Sequence, residues 1–92
     1  MRESSLEMLV GRYAKQRGCL YWKFTSPGNR GVPDRIIVAP NGNVLFMELK
    51  AKRGVVSPLQ EHQCDQLRLR NANVCIVRDY GDAVEEIDLL CK

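Results

Sequence analysis

A chain of 92 residues, 45% apolar and 27% charged with net charge +3, has room for one small core, predicted here as a single domain over residues 1–92. No apolar run approaches the roughly 18 residues of a membrane span, and the opening MRESSLEML lacks the apolar stretch of a secretory signal, so a cytoplasmic protein without a membrane partner is expected. The charge is uneven: residues 1–58 carry ten Lys/Arg against four acids and residues 59–92 four against seven, so the basic front half suggests a polyanionic partner.

Ser4 or Ser5 is expected to cap a first helix, because Leu6, Leu9, Val10, Tyr13 and Ala14 recur at helical spacing before Gly18 ends the pattern. Cys19–Phe24 reads as a strand, and TSPGNRGVP (Thr25–Pro33) as a loop rich in turn formers. Asp34–Ala39 and Val44–Lys50 read as a hairpin whose turn determines the register. A two-residue Asn41-Gly42 turn would ask Pro40 to pair with Asn43, and proline has no N–H to donate. The three-residue loop Pro40-Asn41-Gly42, with Gly42 in the left-handed position, avoids this and sets Ala39 opposite Asn43. Counting back along both strands then sets Asp34 opposite Glu48. Ser57-Pro58-Leu59-Gln60 has the form of a capping box with proline at the first helical position, opening a helix to about Arg70. Asn73–Arg78 reads as a buried strand and Asp82–Leu90 as a final helix. The predicted order is αβββαβα around a central mixed β-sheet, an α/β fold, because the helix between the third and fourth strands should cross over to a parallel neighbour.

Cys19, Cys64, Cys75 and Cys91 contain no C-x-x-C pair, and the lone His62 has no second ligand at metal spacing. Reduced cysteines acting as small core hydrophobes are expected, and zinc is not.

Asp34 and Glu48 are the only acids between Gly31 and Gly54, and each sits at or inside an apolar strand. Cross-strand partners share a face with Cβ atoms about 5 Å apart, and alternation adds Lys50 about 6.6 Å from Glu48 on that face. Two carboxylates so close repel unless a cation lies between them. Mg²⁺ suits such a pair, being a hard ion that takes one or two carboxylates and keeps several waters, with the Leu49 carbonyl as a further ligand and Lys50 beside the phosphate charge. The other reading of the same residues is a hairpin end with Asp34–Arg35 or Glu48–Lys50 surface pairs, each contributing about 0–1 kcal/mol.

The pattern GVPD (Gly31–Asp34) followed by Glu48-Leu49-Lys50 resembles the core of the PD-(D/E)xK nucleases. More narrowly, KFTSPGNRGVPDRI and NGNVLFMELKAKRGVVSPLQ resemble the VRR-NUC (virus-type replication-repair nuclease) domain, over roughly Glu7 to Val77. The resemblance implies a restriction-endonuclease-like fold and a Mg²⁺-dependent DNA endonuclease, with Mn²⁺ able to substitute. It implies Asp34 and Glu48 as metal ligands, Lys50 as the catalytic lysine, and Glu7 as the acid that completes the metal site or holds a metal-bound water. Glu7 matches the helix-one glutamate of this family and of the similar archaeal Holliday junction resolvases, with Glu3, one turn earlier, as its rival. Gln60 matches the family's glutamine after the core strands, although the capping box alone accounts for it. Ser26, Arg30, Arg35, Lys52 and Arg53 are the expected DNA contacts. Short stand-alone members resemble dimeric resolvases, so the expected protein is a homodimer, of phage or bacterial type, that cuts a four-way junction symmetrically. A nuclease of the same fold without junction preference and a non-catalytic nucleic-acid-binding module are the alternatives.

Overall fold

The computed structural model of the protein describes residues 1–92 as α1 (Glu3–Gln16), β1 (Leu20–Lys23), β2 (Arg35–Val38), β3 (Val44–Leu49), α2 (Pro58–Leu69), β4 (Asn73–Val77) and α3 (Tyr80–Leu90). The strands form one sheet in the order β1-β2-β3-β4, antiparallel at the first two junctions and parallel between β3 and β4. The α/β class, the αβββαβα order and the mixed sheet are as the sequence predicts. No helix is long and apolar enough to cross a membrane.

The hairpin turn is the one its chemistry requires. Val38 pairs with Val44 and Arg35 with Met47, Ala39 N–H donates to the Asn43 carbonyl, and Gly42 N–H closes the turn onto the Ala39 carbonyl, both at 2.9 Å. Gly42 takes φ +88°, a left-handed conformation that glycine enters without a Cβ penalty. Asn41 stiffens the turn by accepting the Asn43 N–H, and its amide donates to the Leu90 and Lys92 carbonyls, tying the hairpin tip to the end of α3.

Two helices end by the same device. In α1, Gly18 N–H donates to Lys15 and Cys19 N–H to Ala14; in α2, Asn71 N–H donates to Arg68 and Ala72 N–H to Leu67. Each pair of bonds caps the last free carbonyls of its helix. The start of α1 differs from expectation. Neither Ser4 nor Ser5 caps it; both lie inside a helix that begins at Glu3 on Arg2, which makes no side-chain cap. Beginning two or three residues early places Glu3 at the positive end of the helix dipole, where an acid is favoured. The final helix also starts early, because Asp79 accepts the Asp82 N–H and caps it.

The sheet's two faces are covered unequally. Leu45, Met47 and Leu49 of β3, with Ile37 of β2 and Cys75 and Val77 of β4, are buried in one cluster with Leu6, Val10 and Ala14 of α1 and Ala83, Ile87 and Leu90 of α3. The opposite face carries Leu20, Trp22, Ile36, Val38, Val44, Phe46 and Glu48 by alternation. It receives only α2, which packs over β4 and leaves Leu20, Trp22 and Val44 exposed. All four cysteines are free, as expected. Burial pushes the Cys19 thiol up to about 11 and Cys75 to about 12, which keeps both protonated and unreactive at neutral pH.

Candidate active site

Asp34 is held by its neighbours on both sides. Gly31 takes φ +84°, and a Cβ there would lie 2.9 Å from Leu59 Cγ and 3.1 Å from the Leu59 backbone. Only glycine lets the 25–33 loop seat so closely on the first turn of α2. Gln63 fastens the same loop by donating to the Arg30 carbonyl at 2.8 Å. Asp34 then stands just before β2, with its carbonyl accepting the Phe24 N–H at 2.8 Å and its Oδ1 accepting the Leu49 N–H at 3.2 Å. The β2–β3 register, continued one residue, sets it opposite Glu48.

Glu48 is 4% exposed, an unusual burial for a glutamate. Its Oε2 accepts from Gln60 Nε2 at 3.2 Å and lies 3.4 Å from Lys50 Nζ. Gln60 both closes the capping box and reaches Glu48. Its Oε1 accepts the Ser57 N–H while Ser57 Oγ accepts the Gln60 N–H, closing the capping box, and its remaining amide hydrogens are turned to Glu48. One side chain therefore sets the start of α2 and the orientation of a buried carboxylate.

Both carboxyls are held above their usual range. Burial, followed by the neighbouring Glu48, pushes the Asp34 carboxyl up to about 6, against the Leu49 amide, which pulls it down. Burial also raises Glu48, opposed chiefly by Lys50. Among the helix-one acids, Glu3 adds its field to both carboxyls. Glu7 is committed elsewhere: its carboxylate pairs with Arg35, and no three His, Cys, Asp or Glu side chains converge as a metal-ligating group.

Arg35 departs from the expected surface phosphate contact. It is 6% exposed and faces α1, the side opposite Asp34 and Glu48. There it pairs with Glu7, donates to the Asp34 carbonyl at 2.8 Å and stacks 5.6 Å from the Tyr21 ring centroid. Tyr21 in turn donates its hydroxyl to the Glu7 carbonyl at 3.1 Å. Arg35 thus joins α1 to the sheet, because a lone arginine between apolar strand positions is stable only when its donors are satisfied. Arg30, Lys52 and Arg53 are exposed, and Ser26 is half-buried at a turn closed by the Asn29 N–H. Arg78, which the sequence did not single out, donates to the Ala51 carbonyl at 3.1 Å and organises the loop after β3 that carries Lys52 and Arg53.

Comparison with known proteins joins this geometry to a family. Over 64 residues, 67% of this chain and 69% of the other, the chain is 42% identical to a protein named "Putative nuclease p44" from Acyrthosiphon pisum secondary endosymbiont phage 1. A solved structure described as a VRR_NUC domain superposes with TM-score 0.86 at 25% identity, covering 94% of each chain. The chain belongs to the VRR-NUC family. A second VRR_NUC domain protein shares the fold at TM-score 0.76 and 14% identity, covering 98% of this chain and 88% of that one. No model of a protein family matches the sequence. The resemblance carried by KFTSPGNRGVPDRI and NGNVLFMELKAKRGVVSPLQ therefore named the correct family.

The donor set of this VRR-NUC domain fits a hard divalent cation. Hydrogen bonds engage one oxygen of each carboxylate, Asp34 Oδ1 and Glu48 Oε2. No buried side-chain oxygen or nitrogen lacks a partner, so any remaining carboxylate oxygen without one is open to solvent. Leu49 N–H points to Asp34 while Lys50 N–H donates to Val77 across the sheet at 3.0 Å. Strand alternation then puts the Leu49 carbonyl on the Asp34 side. A positive ion at this place would offset the burial and the nearby negative charge, of Glu48 on Asp34 and of Glu3 on both, that raise the two carboxyls.

Proposed function

We propose that this VRR-NUC domain is a Mg²⁺-dependent, structure-specific DNA endonuclease that acts as a homodimer and hydrolyses backbone phosphodiesters at four-way junctions. The observation that carries the catalytic part is the cross-strand pair of Asp34 and Glu48, two partly desolvated carboxyls beside a half-buried Lys50. Asp34, Glu48 and the Leu49 carbonyl would hold the ion, with Mn²⁺ an acceptable substitute. When bound, the ion polarises a phosphoryl oxygen and acidifies water. Lys50 holds a positive charge against the phosphate, in a position preset by Glu48. Gln60 keeps Glu48 aimed into the site. From α1, Glu3 rather than Glu7 contributes negative potential, since Glu7 is neutralised by Arg35. Arg30, Lys52 and Arg53 present cations for the flanking backbone, and Ser26 borders the strand's path.

The uncovered sheet face supports the dimer. Leu20, Trp22 and Val44 form an exposed apolar strip on the α2 side, and β1 is an edge strand beside it. Unpaired edges and contiguous apolar patches invite a second chain, and a two-fold dimer would present two sites to the two-fold exchange point of a junction.

The experiment is cleavage of an end-labelled four-way junction beside a linear duplex of matching sequence, with Mg²⁺ and with chelator, alongside sedimentation of the protein. Symmetric nicks in the junction alone, abolished by chelator, from a dimeric protein support the whole reading. Cutting of both substrates removes the junction preference and leaves the nuclease. A monomer at micromolar concentration removes the paired cut, and tight binding without cleavage in either metal removes catalysis.

A further inference from the structure

Beside the carboxylate pair, between α2 and the loop after β1, lies a groove of about 380 Å³ that no catalytic role uses. Its volume lies within the range of small-molecule clefts, roughly 300–1,000 Å³. Its floor is the aromatic pair Phe24 and Phe46, with ring centroids 5.9 Å apart and planes inclined at 58°. Both rings are half-buried, so each keeps surface open to the groove. Asn29, Gln63, Gln66 and Arg70 line the walls.

The groove adjoins the site through three covalent or hydrogen-bonded links. Phe46 lies two residues before Glu48 on the same strand face, about 6.6 Å along the chain. Phe24 donates its N–H to the Asp34 carbonyl. Gln63 follows Gln60 by one helical turn. A strand whose phosphate is held at Asp34 and Glu48 thus has this groove within about one nucleotide.

The amides of the groove are partly committed, and what remains has a pattern. Asn29 gives Nδ2 to Ser26 Oγ at 3.2 Å, and Gln63 gives Nε2 to the Arg30 carbonyl at 2.8 Å. Their carbonyl oxygens remain as acceptors. Gln66 instead receives Arg70 on Oε1 at 2.9 Å, leaving its amide nitrogen to donate. Aromatic faces with a few acceptors, one donor and a guanidinium match an unpaired nucleobase, which stacks on its faces and hydrogen-bonds along its edge. Two acceptors favour bases bearing an exocyclic amino group over thymine.

Resting on the nuclease reading above, we infer that the Phe24–Phe46 groove receives one unstacked nucleobase of the substrate strand adjacent to the phosphate being cut. The base leaves its neighbours' stack and gains the two phenyl faces, which sets the strand's register at the carboxylates. The proposal assigns Phe24, Phe46, Asn29 and Gln66 to substrate positioning and adds no chemical step.

The test uses a fluorescein-labelled four-way junction carrying 2-aminopurine at one position in turn near the exchange point, with the full-length protein in chelator so that no strand is consumed. Anisotropy reports binding, and 2-aminopurine brightens when it leaves the base stack. One position should brighten several-fold on binding. Phe24→Leu, which keeps apolar volume, and Asn29→Ala, on an exposed loop, should each reduce that rise by half or more while circular dichroism shows the fold intact. Binding with no bright position overturns the groove assignment while chelator-sensitive cleavage keeps the nuclease. A bright position unchanged in both variants places the base elsewhere and also overturns it. A shift of Phe24→Leu in sedimentation without a fluorescence change makes the groove a contact between copies, against the inference. Failure to bind or cut any DNA overturns the nuclease reading and the groove with it.

Discussion

The two faces of the sheet do different work with the same strands. On the α1–α3 face every inward position of β3 is aliphatic or methionine and closed from water, and the one buried charged strand residue, Arg35, is satisfied by Glu7, Tyr21 and a backbone carbonyl. On the α2 face, the residues between those positions include a buried glutamate, a half-buried aspartate and a lysine, under a single helix that covers part of the strands. Stability is concentrated on the first face. The second tolerates paired carboxyls because its neighbour provides the rigidity.

Substitutions at the carboxylates should separate the faces most sharply. Asp34→Asn and Glu48→Gln are each expected to lower junction cleavage about 10²–10³-fold, the scale of removing a principal electrostatic group, without lowering the thermal midpoint at neutral pH. A large drop in that midpoint would make the pair structural. On the closed face, Met47→Ala, one residue from Glu48, should cost about 2–5 kcal/mol by urea unfolding, because a fully buried side chain leaves a cavity. At temperatures where the variant is folded, its cleavage should remain. Loss of activity in the folded variant would mean the two faces are not separable.

Gln60 and Ser57 sharpen the comparison at one helix end. Ser57→Ala removes the cap alone and should cost about 0.5–2 kcal/mol with cleavage retained. Gln60→Ala removes the cap partner and the bond to Glu48, and should add a loss of about 10–100-fold in activity or metal affinity, the usual cost of removing an outer-shell partner. Equal activity in the two variants would reduce Gln60 to its capping role.

The smallest effect concerns pH. Because the Asp34 carboxyl is raised to about 6 from 3.8, the folded chain holds its proton more tightly than the unfolded chain between those values. Its contribution to stability is therefore present below about 3.8 and lost as pH rises through about 6. Without divalent ions, the pH dependence of the midpoint between about pH 4 and 6 should change in Asp34→Asn, with this falling component removed. Mg²⁺ affinity, measured calorimetrically, should run oppositely, weakening as pH falls below about 6, since only the ionised carboxylate is a ligand.

Where local chemistry was decisive, the sequence alone specified the result. The missing N–H of Pro40 and the left-handed Gly42 selected one hairpin loop, and period-two alternation carried that choice to Asp34 opposite Glu48 without any tertiary contact. Ser57 and Gln60 read as a capping box for the same reason, since all the partners lie within four residues. GVPD and Glu48-Leu49-Lys50, together with the Ser-Pro-Gly loop and the Ser57–Gln60 helix start around them, sufficed to name the family.

Tertiary structure decided what depended on groups distant along the chain. The pairing of Glu7 with Arg35, 28 positions beyond it, is of this kind, since no local pattern announces the burial of Arg35 on the α1 face. Phe24 and Phe46 read as ordinary strand apolars until the arrested coverage of α2 left a groove above them. Local hydrogen-bonding rules act over a few residues and can be read in order. Burial, charge pairing and the unfilled space between layers are set by which surfaces meet, and that exists only once the chain is folded.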